Sequence, residues 1–397
     1  MLVQKYKDML SGKSVIRQLS EFATARGQEI GYENVFDYSL GNPSVPVPRE
    51  FTDRMIHMLA TKEPLELHGY SPSLGITSVR EAIAENLEKR FGLPYRKEHI
   101  FMASGAAGAL AHAFRLVTEP GDEILTFAPF FPEYHPYVDL TGAVLKVVPP
   151  NLENFQINFE AFEEMLTEKV KAVLINTPNN PSGVVYSTPT LQRLADILRE
   201  KSKEYGHIIY LISDEPYREI VFEGVDSPCV SYFYDNTIMC YSFSKSLSLP
   251  GERIGYLVIP DELEDSATVI TAAAIANRVL GSVNAPSLMQ KVIQKCVDAE
   301  VDVAAYDRNR LALYNGLKEC GFECIKPQGA FYLFVKSPVA DEKQFCEAGK
   351  KYNILMVPGS SFACPGYVRL AYCVSYDTIM NSLPQFGKLA EEFGLKA

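Results

Sequence analysis

With 397 residues, 47% of them hydrophobic and 22% charged, the chain has the composition of a folded globular protein, and its length suggests two or three bodies of about 150 residues or one large domain carrying a smaller one. A net charge of −11 argues against a nucleic-acid surface, which needs a basic stripe, and favours small-molecule chemistry. No stretch approaches the roughly 20 apolar residues of a membrane span and the charged N-terminus does not read as a signal peptide, so a cytoplasmic location follows by default.

Residues 2–26 carry a helical pattern that stops before the proline-rich segment Asn42-Pro-Ser-Val-Pro-Val-Pro48, whose prolines favour extended backbone. From 99 to 259 short β-branched runs alternate with helical segments such as 106–117 and 190–205. The predicted strands are 99–103, 123–127, 144–148, 172–176, 208–213, 237–241 and 255–259, apolar almost throughout, as strands buried on both faces are. After Pro286 a long amphipathic run extends to about 319, followed by short strands near 322–325, 331–335 and 368–373 with helices between and after. The fold class expected is α/β: a large domain (48–286) with a mostly parallel seven-stranded sheet between helices, and a smaller α+β domain built from 1–47 and 287–397. There is no internal repeat. The eight cysteines form no C-x-x-C pair with metal-site spacing and read as reduced core residues, and no metal site is expected. His112 lies in an apolar helical run and reads as packed.

Three blocks at predicted strand ends carry chemistry. In Asn176-Thr-Pro-Asn-Asn-Pro-Ser-Gly183, prolines and a glycine force a rigid loop, and Asn180 offers a donor and an acceptor in one amide; a plain structural turn is the alternative. In Ser213-Asp-Glu-Pro-Tyr217 a carboxylate ends an apolar strand and so faces the crevice where parallel sheets bind ligands. Asp214 there either holds a proton on the ring nitrogen of a cofactor, with Tyr217 donating to a ring oxygen, or caps the next helix. In Tyr241-Ser-Phe-Ser-Lys-Ser-Leu-Ser-Leu-Pro-Gly-Glu-Arg253, Lys245 follows an apolar strand, and such a lysine, partly desolvated, serves as an imine-forming amine or a general base. Ser242 and Arg253, three residues before and eight after it, supply a hydroxyl and a planar cation that suit a phosphate. Arg369, inside the apolar run Tyr367-Val-Arg-Leu-Ala-Tyr372, needs a partner, either a bidentate ligand carboxylate or a structural salt bridge.

In that order and at those strand ends, the blocks resemble the fold type I pyridoxal-phosphate enzymes, most closely the class I/II aminotransferases of the aspartate aminotransferase group. The resemblance spans nearly the whole chain. It implies that Lys245 is the Schiff-base lysine, that Asp214 partners the pyridinium nitrogen, that Tyr217 and Asn180 partner the ring oxygen, and that Ser242 and Arg253 bind the phosphate of pyridoxal 5′-phosphate. Ser104-Gly-Ala-Ala-Gly-Ala-Leu110 is similar to the family's phosphate loop, with Gly105, Ala106 and Ala107 serving through main-chain N–H groups alone, a departure from hydroxyl-bearing versions. Phe131 resembles the aromatic residue stacked on the ring, with Phe130 and Tyr134 as competitors. By the same resemblance Tyr70 reaches the phosphate of a neighbouring subunit in a homodimer, Arg369 clamps the substrate α-carboxylate, and the backbone of Gly41 touches that carboxylate.

The implied reaction is ping-pong transfer of an amino group between an L-amino acid and a 2-oxo acid, with Lys245 moving the substrate proton. Aspartate or glutamate is one substrate guess beside aromatic and neutral amino acids; Arg278 is a candidate for a distal carboxylate or else a solvated helix residue. A carbon–sulfur β-lyase with the same cofactor is the alternative. A non-catalytic sensor lacks its DNA-binding module here, and a nucleotide-binding oxidoreductase lacks a G-x-G-x-x-G after the early strands.

Overall fold

Twelve strands organise the computed structural model, whose described residues are 15–92 and 94–395 together with 3, 6, 7 and 9. In chain order they are β1 (Phe36–Asp37), β2 (Ile100–Ala103), β3 (Glu123–Phe127), β4 (Val144–Val148), β5 (Val170–Asn176) and β6 (Tyr210–Asp214). The remainder are β7 (Thr237–Ser242), β8 (Gly255–Val258), β9 (Tyr332–Lys336), β10 (Ile354–Leu355), β11 (Val357–Pro358) and β12 (Tyr367–Ala371). β2 to β8 form one seven-stranded sheet in the order β2-β8-β7-β6-β5-β3-β4, parallel throughout except for β8, which runs antiparallel to both neighbours. Each strand falls within two residues of its predicted place.

The apolar runs are continuous because both faces of this sheet are covered. Ile124, Leu174 and Ile212 pack on one side with Ala109, Leu110 and Phe114 of the helix Gly105–Val117. The alternate residues Leu125, Val173, Ile175 and Leu211 pack on the other side with Leu191, Leu194 and Leu198 of the helix Thr188–Tyr205. Full burial of each such side chain contributes about 1.5–3 kcal/mol. The Thr188–Tyr205 helix begins where the sequence signals it: Ser187 Oγ accepts the Thr190 N–H at 3.3 Å, with proline in the first turn.

A second, smaller sheet has the order β11-β12-β9, all antiparallel, and β1 pairs with β10 in parallel. Helices Val303–Glu319, Glu342–Lys351 and Tyr376–Glu392 close its core, in which Tyr306, Leu313, Phe345, Ile379 and Phe386 surround Phe331 and Leu333. Phe36 and Tyr38 join that core, so the segment before the proline-rich link packs with the C-terminal part.

Three expectations change. Residues 322–325 are not a strand; Cys324 makes a single bridge to Val335, since the chain there only brushes the edge beside β9. The amphipathic run from 287 to 319 is two helices, Ser287–Ile293 and Val303–Glu319, the second capped by Asp302 Oδ1, which accepts the Ala305 N–H at 3.0 Å. Met289, Val292, Ile293 and Cys296 pack with Ile83, Met102 and Tyr256 of the larger body, so we propose a boundary after Cys296 instead of at 286. Of the helix expected over 2–26, the part from 15 onward lies in the helix Val15–Ile30, and most of 1–14 lies outside the described residues. All eight cysteines are free; six are buried and Cys320 and Cys324 are half-buried. Among the described residues no helix is long and apolar enough to cross a membrane, and no group of side chains is arranged to hold a metal ion.

Candidate active site

The sheet delivers its polar residues to one end. β5 ends at Asn176 and β6 at Asp214, paired in register, and β7 ends at Ser242 opposite Gly255 of β8, which in turn pairs with Ala103 of β2. A strand buried along its length emerges from the sheet only at its end, so that is where an apolar run can give way to a charged or amide side chain. A cavity of ≈ 330 Å³ lies there, between the strand ends and β9 and β12 of the small sheet.

Gly41, Ala106, Ala107, Phe131, Asn180, Asp214, Tyr217, Ser242, Lys245, Arg253 and Arg369 all line this cavity. Gly105 stands against it: its φ of +75° requires glycine, and a Cβ there would come within 2.8 Å of Arg253 Nη2. Two predicted residues are elsewhere. Tyr70 is 93% exposed and Arg278 is exposed at the end of the helix Ser266–Val279, neither of them lining the chain's own cavity.

Lys245 sits on the short helix Phe243–Ser246, and its Nζ donates to the carbonyl of Gly41 at 2.7 Å. Burial lowers its pKa to about 8; Cys373 opposes that shift, and the Arg253 and Arg369 cations add lesser effects in the same direction as burial. Asp214 is fully buried in character. Its Oδ2 accepts the Tyr134 hydroxyl at 2.6 Å, whereas Oδ1 has no hydrogen-bond partner among the described residues. Burial raises its pKa to about 7 although the Tyr134 hydrogen bond pulls it down. Asn176 Nδ2 donates to the Asp214 carbonyl at 2.9 Å, and its Oδ1 accepts the Asn180 N–H at 2.7 Å, so one amide joins the ends of β5 and β6 and fixes the loop carrying Asn180.

Arg369 reaches the cavity from β12, buried between the rings of Tyr332 and Phe362, 4.8 Å and 4.9 Å from its guanidinium carbon. Its Nη2 donates to the Ser39 carbonyl and its Nη1 to Asn180 Oδ1 at 3.1 Å, while Nε has no partner among the described residues. Among the described residues it pairs with no carboxylate. Burial lowers its pKa, the expected sign for a desolvated cation. Near the opposite wall Ser242 Oγ caps the lysine helix, accepting the Ser244 N–H at 3.0 Å. The helix Gly105–Val117 starts with no side-chain cap, its first N–H groups beside Ala106 and Ala107 at the cavity wall.

Several lining or supporting residues were not singled out from the sequence. Tyr332 donates to or accepts from Tyr217 across 2.8 Å, and its hydroxyl occupies the space a side chain at Gly41 would fill. Its signal was a polar-tipped residue in the apolar run of β9, the same signal that marked Arg369 on the neighbouring strand. Tyr134, weighed as a stacking ring, does not line the cavity and instead supports Asp214; Phe130 is buried beside it, and Phe131 alone of the three faces the cavity. Ser39, Leu40, Tyr137, Asn176, Pro216 and Ser244 also line the cavity.

Residues 33–383 match the family model described as aminotransferase class I and II. The chain belongs to that family. It is similar to an aspartate aminotransferase of Thermotoga maritima, 31% identical across 93% of this chain and 97% of the relative, and to aromatic-amino-acid aminotransferase 2 of Thermococcus litoralis, 30% identical across 96% of each. A solved amino transferase structure from Eubacterium rectale superposes with a TM-score of 0.96 at 46% identity, covering 99% of this chain and 100% of that one. The chain is therefore an enzyme that transfers amino groups between an amino acid and a 2-oxo acid, and the carbon–sulfur lyase alternative is not favoured. The family as a whole depends on pyridoxal phosphate.

Proposed function

We propose that this aminotransferase holds pyridoxal 5′-phosphate in the cavity at the strand ends, covalently through Lys245. The observation that carries this reading is Asp214 Oδ1, a buried carboxylate oxygen without a donor while its twin is taken by Tyr134. Asp214 Oδ1 would accept an N–H from a protonated pyridine ring, which would offset the burial that lifts Asp214 to about 7. The other residues fit the rest of the group. The uncapped N–H groups at Gly105, Ala106 and Ala107, the Ser242 hydroxyl and the Arg253 cation suit its phosphate. Tyr217 and Asn180 suit the ring oxygen and Phe131 the ring face. Bound there, the group supplies an aldehyde for exchange with amino groups and an electron sink for the substrate carbanion.

The chain's own residues then divide the work. Arg369, with a free Nε and two bonded Nη atoms, takes the substrate α-carboxylate beside Asn180 and the backbone of Gly41. Lys245 Nζ, neutral in a large fraction near pH 8, takes the proton from the substrate Cα. Asp214 keeps its negative charge against the ring. Aspartate or glutamate is the proposed donor, a reading supported by the aspartate aminotransferase relatives. We assign the protein a homodimeric state in the cytoplasm; the exposure of Tyr70, away from its own cavity, supports a role toward a second copy.

The test is direct. Protein isolated with pyridoxal phosphate is reduced with borohydride and mapped by peptide mass; a pyridoxyl label on Lys245 and a visible absorption band are expected. Colourless protein with no label at that lysine overturns the reading. Adding amino acids singly to the loaded protein and following the band then identifies the donors.

A further inference from the structure

We infer that the hydrogen bond between Ser246 and Tyr241, anchored through Glu219 to Arg218 and Arg90, positions Lys245 from behind its helix. The inference rests on the role proposed above for Lys245.

The short helix Phe243–Ser246 is a partition between two cavities. Ser242, Ser244 and Lys245 line the one at the strand ends, while Phe243, Ser246 and Leu247 line a second, of ≈ 270 Å³, on the other side. Because empty space lies against that back face, packing alone leaves the helix room to shift toward it. A tether opposes the shift. Tyr241 Oη lies 2.7 Å from Ser246 Oγ and 2.9 Å from Glu219 Oε2. A phenol carries one hydrogen and a carboxylate only accepts, so Tyr241 donates to Glu219 and Ser246 donates to Tyr241.

The far end of this chain is firmly held. Glu219 Oε1 accepts from Arg90 Nη1 at 2.6 Å and from Arg218 Nε at 3.2 Å. Arg218 is buried, its guanidinium 4.2 Å from the Tyr241 ring centre, with Nη2 donating to the Tyr256 hydroxyl at 2.9 Å. Arg218 and Glu219 follow directly on Pro216 and Tyr217, which line the first cavity, so the network grips the two segments that face the reacting atoms. A charged network of this kind has low tolerance for displacement, since each member leaves a buried partner unsatisfied when it moves.

The test uses Tyr241→Phe and Ser246→Ala, each removing one hydroxyl of the tether, and Ser246→Thr, which keeps the donor and has the second cavity beside it for the added methyl. Each protein is loaded with pyridoxal phosphate and titrated across pH by its visible band, and kcat is measured. Expected are a shift of the band's midpoint by about a few tenths of a pH unit or more and a fall in kcat of about tenfold, equal for the two deletions and no larger in the double variant, with Ser246→Thr near the parent. Loaded deletions with the parent's midpoint and kcat, or Ser246→Thr behaving as Ser246→Ala, overturn the inference. If Tyr241→Phe fails to fold, as thermal unfolding will report, Ser246→Ala against Ser246→Thr decides alone. A parent that shows no band and no borohydride-fixed label at Lys245 sinks the proposed function instead, a result distinct from either.

Discussion

Asp214 and Tyr134 share one electrostatic problem: a carboxylate placed where burial favours its neutral form has to stay charged. Tyr134 donates to it and so lowers a pKa that burial lifts to about 7. Tyr134→Phe leaves Oδ2 without its donor, at a cost of about 1–3 kcal/mol, and raises the pKa further. The acidic limb of the kcat/KM profile should therefore move to higher pH; an unmoved limb shows that the bond does not tune Asp214. In cofactor-free protein Lys245 acts in a separate window. Its folded pKa of about 8 lies below the ordinary 10.5, so folding costs proton binding there: the penalty is complete below about 8 and fades as pH rises toward 10.5. Lys245→Met should be more stable than the parent to urea at pH 7, and the two should converge above pH 10.5. At this scale the sequence was readable wherever a charge interrupts an apolar run, as at Asp214, Lys245 and Arg369, because such a charge needs a task. Tyr134 and Tyr332 were not, since an aromatic residue in an apolar run packs equally well without one.

The seven central strands were legible because each is buried on both faces and so reads as an unbroken apolar run, bounded by helices with their own period. β1, β10 and β11 are two residues long, too short for any periodicity to register, and they exist only because the small core folds around them. The helices Ser287–Ile293 and Val303–Glu319 merged in the sequence because the nine residues between them, 294–302, include neither proline nor glycine. The turn into the helix Gly105–Val117 makes a sharper claim. Gly105→Ala forces a side chain into a left-handed φ of +75° and against Arg253, costing roughly 1–2 kcal/mol and displacing the guanidinium. Pyridoxal phosphate affinity should fall more than affinity for pyridoxal lacking the phosphate, measured by fluorescence titration; an equal fall for both removes this turn from phosphate binding.

For the whole molecule, the residues that sequence similarity groups with the cofactor divide by location: most converge in one cavity, whereas Tyr70 stands on the surface. If two copies share their sites, a mixture of Lys245→Ala and Tyr70→Asp chains, each inactive alone, regains transaminase activity, because one site of the hybrid receives an intact Lys245 and an intact Tyr70. Hybrids that form and stay inactive confine Tyr70 to its own chain. The bond from Lys245 to the carbonyl of Gly41 has a consequence of another kind. Gly41 adjoins the proline-rich strap that leads from the smaller body to the larger, so the amine is one of the ties on that strap. Engaging the amine elsewhere removes that tie alone, since Ser44 Oγ still donates to the Val374 carbonyl at 3.2 Å, and a protease should nick the backbone around 41–47 somewhat faster once the vitamin is aboard.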